Sequence, residues 1–345
     1  MAEMKFKFTI QPYQTEAVDS VVGVFAGQPF NDHFTYRRDV EIRRDITNWM
    51  LSDEELYMGF ANAKVQLDYG QLLDNIHRIQ ARNNIKLSDS LKSGGLGVCS
   101  LDVEMETGTG KTYVYIKTMF ELNKLYGWSK FIVVVPSIAI REGVQKSFET
   151  MQEHFMEYYG KKVRFFVYNS KNLPDIDNYS QSADINVMII NMQAFNSSKN
   201  QRIIDKKLDT FRSRKPIDII AKTNPILIID EPQSVEGKQT KESLKKFQPL
   251  FTLRYSATHK EKYDMVYRLD ALDAYNQHLV KKIAALGVTL EGSTATNGYV
   301  YCEGIDLYKD KAPTARLGFE VKGAAGTRTV VRKVYGGDDL YDLSN

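Results

Sequence analysis

The chain has 345 residues, of which 43% are hydrophobic and 26% charged, with a formal net charge of +3. That composition excludes a disordered or fibrous chain and leaves room for about two domains with sizeable cores, while the charge excess is too small to argue for nucleic acid by itself. Cys99, Cys302 and the five histidines show no metal-ligand spacing, no stretch reaches the length of a membrane span, and MAEMKFKFTI lacks the apolar core of a signal peptide, so the expectation is a cytoplasmic protein with no membrane partner.

In chain order, KFKFTI reads as a short strand and the residues from Pro12 as a helix. Residues 33–92 are highly charged, with Ile42, Ile46, Trp49 and Met50, and later Leu72, Ile76 and Ile79, at helical spacing; they read as a helical insertion at about 30–95. SGGLG at 93–97 is a break. From residue 100 the rhythm changes: SLDVEM predicts a strand, TGTGKT a glycine-rich turn, and TYVYIKTMFELNKLYG a helix closed by Gly127. KFIVVVP is a continuous β-branched run, the mark of a strand covered on both faces. A helix over REGVQKSFETMQEHF, strands KVRFFVY and INVMIIN, a basic helical stretch at 201–215, strand ILIID, a helix near 238–247 and strand LFTLRYSAT follow. Alternating buried strands and helices predict a doubly wound, mainly parallel α/β sheet. After Thr258, YRLDALDAYNQHLVKKIAAL reads as a helix, and GYVYCEGIDLY, RLGFEVK and TRTVVRKVY as strands. A boundary near residue 260 divides the chain into 1–259 and a β-rich α+β segment, 260–345.

METGTGKT, residues 105–112, sits between a strand and a helix. Its backbone N–H groups, from Thr107 through Thr109 to Gly110, can surround a phosphate at the helix N-terminus, and Gly108 and Gly110 permit close approach. Lys111 would reach the β- and γ-phosphates, and the Thr112 hydroxyl would bind Mg²⁺. Met105 stands where the general pattern has glycine, a relaxation shared by nucleic-acid translocases. ILIID ends in Asp230 and Glu231, and in a P-loop fold such a strand tip faces the same metal: Asp230 would hold Mg²⁺, and Glu231 would orient or deprotonate the attacking water. Lys111, Asp230 and Glu231 are therefore the candidate catalytic residues, with ATP and Mg²⁺ as cofactors.

With METGTGKT, VVVPSIAIREGV, IIDEPQ and LRYSATH in this order, the chain resembles superfamily-two helicases and translocases. More narrowly, DEPQ together with PSIAIREGV resembles the restriction subunit of type III restriction–modification enzymes. The resemblance implies a RecA-like P-loop lobe and carries roles onto matching positions. Tyr13 and Gln14 match the adenine-reading motif. Pro136, Ser137 and Arg141 match a nucleic-acid backbone contact, and Asn191 and Gln193, in IINMQAFN, a second one. Gln233, Ser256 and Thr258 match residues that couple nucleotide state to nucleic acid. Implied partners are double-stranded DNA and the modification (methyltransferase) subunit. Arg202, Lys206, Lys207, Arg212, Arg214, Lys215 and Lys222 read as a solvated helix face, with a DNA-flanking or subunit-contact surface as the alternative.

Residues 260–345 hold no second series of apolar strands to supply an arginine finger and read as only the incomplete start of a second lobe or a β-rich insertion within it. No nuclease pattern stands out, so the resemblance implies an N-terminal fragment whose nuclease domain lies elsewhere, weakly active or inactive alone. The expected function is the ATPase motor part of an ATP-dependent type III deoxyribonuclease. Another superfamily-two DNA or RNA helicase or repair translocase, and a nucleotide-binding docking module without turnover, remain as alternatives.

Overall fold

Nearly continuous runs of Val, Ile and Leu leave a strand no wet face, and such strands find their place in a parallel sheet between two helical layers. The computed structural model describes residues 8–31, 34–37, 58–170, 172–191, 204–207, 211, 214–234, 237–281, 300–308, 310–323 and 326–344. Two compact units divide the chain, Met1–Lys282 and Ile283–Asn345.

In the first unit, β3 (Ser100–Met105), β4 (Lys130–Val135), β5 (Val163–Val167), β6 (Ile185–Asn191), β7 (Ile226–Asp230), β8 (Thr252–Ser256) and β9 (Asp264–Leu269) form one sheet in the order β5-β6-β4-β7-β8-β3-β9. Every neighbouring pair in it is parallel. Side chains alternate between two cores as the period of a strand requires. Phe131, Val133 and Val135 of β4 join one cluster with Val114 and Phe120, whereas Ile132 and Val134 join the other with Ile176, Ile217 and Leu244. The expected doubly wound parallel sheet is therefore present.

The helices that frame the site are α1 (Pro12–Gly23), α3 (Lys111–Tyr126), α4 (Ile138–Tyr159) and, beyond β7, α7 (Lys238–Lys245); α1 packs against α3. Pro12 opens α1 at a position where its missing N–H costs nothing. Gly127 closes α3 in the left-handed region (φ 80°), its N–H donating to Asn123 O at 2.9 Å, as the sequence predicts. No helix among the described residues is long and apolar enough to cross a membrane.

Four expectations change. Residues 8–10 form no strand, and 1–7 lie outside the described residues. The helical reading of 30–95 is only partly met. A two-stranded antiparallel sheet of β1 (Phe34–Arg37) and β2 (Met58–Ala61) precedes α2 (Tyr69–Arg82), and 38–57 lie outside the described residues. YRLDALDAY is no single helix. Its first residues belong to β9, which pairs with β3, and Asp270 then caps the short α8 (Ala271–Asn276) by accepting from Leu272 N at 3.0 Å and Asp273 N at 2.9 Å. The first unit accordingly runs past residue 260, because the seventh strand of the parallel sheet, β9, lies beyond it.

The second unit is an antiparallel meander of β10 (Val300–Asp306), β11 (Thr314–Gly323) and β12 (Gly326–Val334), followed by α9 (Leu340–Ser344). Phe319, Val321 and Val334 are buried, with Leu317, Val330, Leu340 and Leu343 packed against them. The alternation of RLGFEVK was a true strand signal.

Candidate functional site

Because the strands are parallel, their carboxyl ends share one edge, the edge where doubly wound sheets bind ligands. Although three strands separate β3 from β7 in sequence, only β8 lies between them in the sheet. That ordering brings the glycine turn and the acidic strand tip together.

The turn leaves β3 after Met105, which is fully buried, so the side chain standing where glycine is usual fills the core beneath the loop and its carbonyl accepts from Lys111 Nζ at 3.3 Å. Gly108 (φ 85°) and Gly110 (φ 90°) occupy backbone conformations that favour glycine. A Cβ at Gly108 would meet nothing within 4 Å, which leaves the space above the loop clear for a ligand, whereas one at Gly110 would lie 2.5 Å from Gln14 Nε2. The loop is braced from α1: Tyr13 Oη and Gln14 Nε2 both donate to Thr109 O, at 2.9 and 3.1 Å. Thr109 Oγ1 donates to Glu106 O at 2.6 Å, and Thr107 N to Glu106 Oε1 at 2.7 Å. The two residues expected to read adenine thus touch the glycine turn directly.

Lys111 Nζ lies 3.1 Å from Glu231 Oε1. The other oxygen, Oε2, accepts from Gln233 Nε2 at 2.8 Å and lies 2.9 Å from Ser256 Oγ. Ser256 Oγ is also 2.9 Å from Gln233 Oε1 and 2.7 Å from Thr258 O, and it accepts from Thr258 N at 3.1 Å. A hydroxyl has one proton, so these three acceptors compete for it, and the network can change partner without moving its atoms far. Glu231 holds a left-handed backbone (φ 54°), fixed by its N–H donating to Tyr255 O at 2.9 Å. A residue other than glycine in that region stores strain of the kind found at functional sites.

The two carboxyls are driven apart electrostatically. Burial, reinforced by the neighbouring Glu231 charge and only partly offset by Lys111, pushes Asp230 up to about 6. Burial would also raise Glu231, but the Gln233 hydrogen bond, the Lys111 charge and Ser256 together outweigh it and hold the group below its ordinary value. Glu231 is therefore ionised at neutral pH. Among the described residues no group of three or more His, Cys, Asp or Glu could hold a metal. A hard cation at Thr112 and Asp230 would need phosphate oxygens and water to complete its shell, which is the usual manner of Mg²⁺ in phosphate sites. The lone lysine, the open glycine turn and the buried carboxylate fit that requirement.

Along the same edge, β4 and β6 end side by side, with Val135 opposite Asn191. Pro136 and Ser137 follow β4, and Ser137 Oγ caps α4 by accepting from Ile140 N at 3.3 Å, which leaves its proton free to donate. Arg141 NH2 meets Glu142 Oε1 at 2.6 Å, and its Nε is buried without a hydrogen-bond partner. Asn191 is buried, while Gln193 lies outside the described residues. Of the basic series at 202–222, Arg214 is bound to Asp177 at 2.9 Å, and Arg202 and Arg212 lie outside the described residues.

Three residues that sequence reasoning passed over sit beneath the site. Asp102 of β3 and Arg254 of β8 are buried and ion-paired at 2.9 Å, and His259, directly after Thr258, is enclosed beside them. A signal was available: a carboxylate in SLDVEM and a guanidinium in FTLRYS are opposite charges inside two strands otherwise built for burial, and such charges need partners.

A family model for the type III restriction enzyme, res subunit, matches residues 77–261, more than half of the 345. The type III restriction-modification enzyme EcoP15I Res subunit of Escherichia coli is 33% identical over 298 residues, covering 80% of this chain and 29% of the relative. The EcoPI Res subunit of Escherichia phage P1 is 31% identical, covering 79% and 28%. The chain thus spans less than a third of either relative. Among solved structures, the SWI2/SNF2 ATPase core of Sulfolobus solfataricus in complex with dsDNA matches at 15% identity over 58% of this chain and 33% of that one, with a TM-score of 0.31.

Proposed function

This chain belongs to the Res-subunit family of type III restriction enzymes, and from that premise we propose that it is an ATP- and DNA-binding motor portion whose ATP hydrolysis drives translocation or switching on duplex DNA. The single observation that carries the reading is the 3.1 Å approach of Lys111 to Glu231 across the sheet edge, with Gln233 and Ser256 on the other carboxylate oxygen. The arrangement keeps both side chains partly open to a ligand. Its lysine can transfer from a carboxylate to a phosphate, and its carboxylate, kept ionised, can then turn to a water.

In this reading Thr107, Gly108, Thr109 and Gly110 cradle phosphates, Lys111 neutralises the charge that develops on them, and Thr112 and Asp230 hold Mg²⁺. The metal supplies charge neutralisation on the transferring phosphoryl group. Tyr13 and Gln14 read the adenine while bonded to the loop, so base occupancy and loop position are linked. Gln233, Ser256 and Thr258 pass a change at Glu231 towards the nucleic acid, which Pro136, Ser137, Arg141, Asn191 and Gln193 contact through its backbone. Those contacts give position rather than sequence, so target recognition falls to the modification subunit as partner. We assign no nuclease role to residues of this chain.

The test is ATP turnover by the full-length protein with and without duplex DNA, beside its Lys111→Ala variant. Turnover should fall about 10³-fold, the scale on which a charged group acts in phosphoryl transfer, with nucleotide binding lost by calorimetry. Unchanged binding would overturn the site, and stimulation by RNA alone would favour a different motor of the same superfamily.

A further inference from the structure

We propose that His259 is a positioning residue, fastening the Ser256–Thr258 loop to the strand that carries the glycine turn so that a change at the nucleotide pocket reaches that loop. The proposal rests on the motor reading above and deepens it by naming a residue on which the response to nucleic acid depends.

His259 follows Thr258 in sequence, and its side chain is fully enclosed. It reaches from the β8–β9 loop onto β3: Nε2 lies 3.4 Å from Val103 O, and Nδ1 lies 3.6 Å from Asp102 Oδ1. Two residues past Val103 is Met105, whose carbonyl holds Lys111. The same Asp102 fixes both flanks of the loop, because its Oδ1 accepts from Arg254 NH1 at 2.9 Å and its Oδ2 from Tyr263 N at 2.8 Å. Arg254 in turn stacks 4.3 Å over the Tyr263 ring and donates to Glu261 O at 3.1 Å. The loop's ends are therefore tied to one carboxylate, and His259 links its middle to β3.

The imidazole is poorly satisfied there. Burial, with Arg254 adding to it, lowers His259 to about 4, so the ring is neutral and carries one N–H. It faces a carbonyl on one nitrogen and a carboxylate on the other, and Nδ1 has no hydrogen-bond partner. One proton cannot serve both acceptors. A small displacement of the loop exchanges one arrangement for the other, which is the kind of two-state element that a distant ligand can bias. The groups acting on the ring include Glu231 and Lys111, beside Arg254 and Asp102. Separating that catalytic pair alters the field at His259 directly.

The experiment compares His259→Leu, which keeps bulk and removes both nitrogens, with His259→Gln, whose amide can still donate to Val103 O. Both are made in the full-length protein, and ATP turnover is measured with and without duplex DNA, together with nucleotide affinity and the melting temperature. In the Leu variant the ratio of DNA-stimulated to basal turnover should fall about tenfold, within the range of coupling between two sites. Nucleotide affinity should stay within about twofold on the same scale, and the Gln variant should recover most of the ratio. An unchanged ratio in Leu overturns the proposal, as does a parallel loss of both rates that Gln fails to rescue, since that is what a purely structural residue would give. If Leu does not fold, His259→Asn, whose shorter amide cannot span to Val103 O, takes its place: a ratio lowered about tenfold that Gln restores supports the proposal, and an unchanged ratio overturns it. Absence of turnover in the wild-type protein would instead defeat the motor reading, and this inference with it.

Discussion

The Lys111–Glu231 and Arg254–Asp102 pairs lie in the same part of one sheet and use the same chemistry in different surroundings. Lys111, at the start of α3, and Glu231, just past β7, keep 10% and 24% of their side chains exposed, and Glu231 shares its charge among a lysine, an amide and a hydroxyl. Arg254 and Asp102 retain 4% and none, with Tyr263 and Glu261 O of the loop between β8 and β9 packed against them. The first pair can exchange partners with a ligand. The second cannot, because opening it would strand a charge in the interior, which costs far more than losing a surface contact. Exposure at the edge therefore separates a contact suited to turnover from one that holds two strands and a loop in register.

Substituting one member of each pair should separate the two roles. Glu231→Gln keeps the shape and the Gln233 and Ser256 contacts but removes the carboxylate proposed as the base. We expect turnover to fall about 10³-fold, as for loss of a general base, while nucleotide still binds and the melting temperature hardly changes. A variant that also loses nucleotide binding would make Glu231 structural and erase the distinction. Asp102→Asn should do the reverse. It removes the carboxylate charge paired with the buried Arg254, and the amide's single oxygen can replace only one of the two that accept from Arg254 and Tyr263 N. It should therefore cost about 3–5 kcal/mol of stability, the range for breaking a buried pair. Chemical denaturation measures this directly, and a variant as stable as wild type would mean that the interior pair is dispensable.

The difference between the pairs also explains what the sequence disclosed. Residues of the exposed pair announce themselves, because Lys111 ends a glycine-rich turn and Glu231 ends an apolar strand, patterns with few purposes other than binding phosphate and metal. The sheet was legible for a similar reason: KFIVVV, INVMIIN and ILIID have no polar face to present. β9 was not, because DMVYRL is short and runs into LDALDAY, whose helix-forming residues dominate any window that contains both; the N-cap at Asp270 marks the true junction. Asp102, Arg254 and His259 were hidden because each is singly ambiguous, and only the adjacency of β3 and β8, a fact of topology, makes them partners. Met105 looked like a departure from the phosphate-loop pattern until its side chain was found in the core.

The smallest expected effect is also the most discriminating, because it depends on the sign of two opposed titrations. Burial raises Asp102 to about 6, against the pull of Arg254 and the Tyr263 N–H, and lowers His259 to about 4. A raised carboxyl stabilises the fold below its unfolded value near 3.8, and that contribution is lost as pH rises through about 6. A lowered imidazole stabilises above its unfolded value near 6.5, and that contribution is lost as pH falls towards about 4. Between about 4 and 6 the folded protein holds one proton on Asp102 and the unfolded chain one on His259, so the two slopes cancel. Removing either partner unmasks the other. Relative to wild type, Asp102→Asn should lose stability as pH falls through that window and His259→Leu as pH rises through it, each by up to ~1.4 kcal/mol per pH unit. Taking differences from wild type removes the titrations of Asp230, Glu231 and the other carboxyls, which all three proteins share. Slopes of the same sign in both variants would show that burial does not shift Asp102 and His259 in opposite directions, and the interior cluster would then be a plain ion pair with a histidine packed beside it.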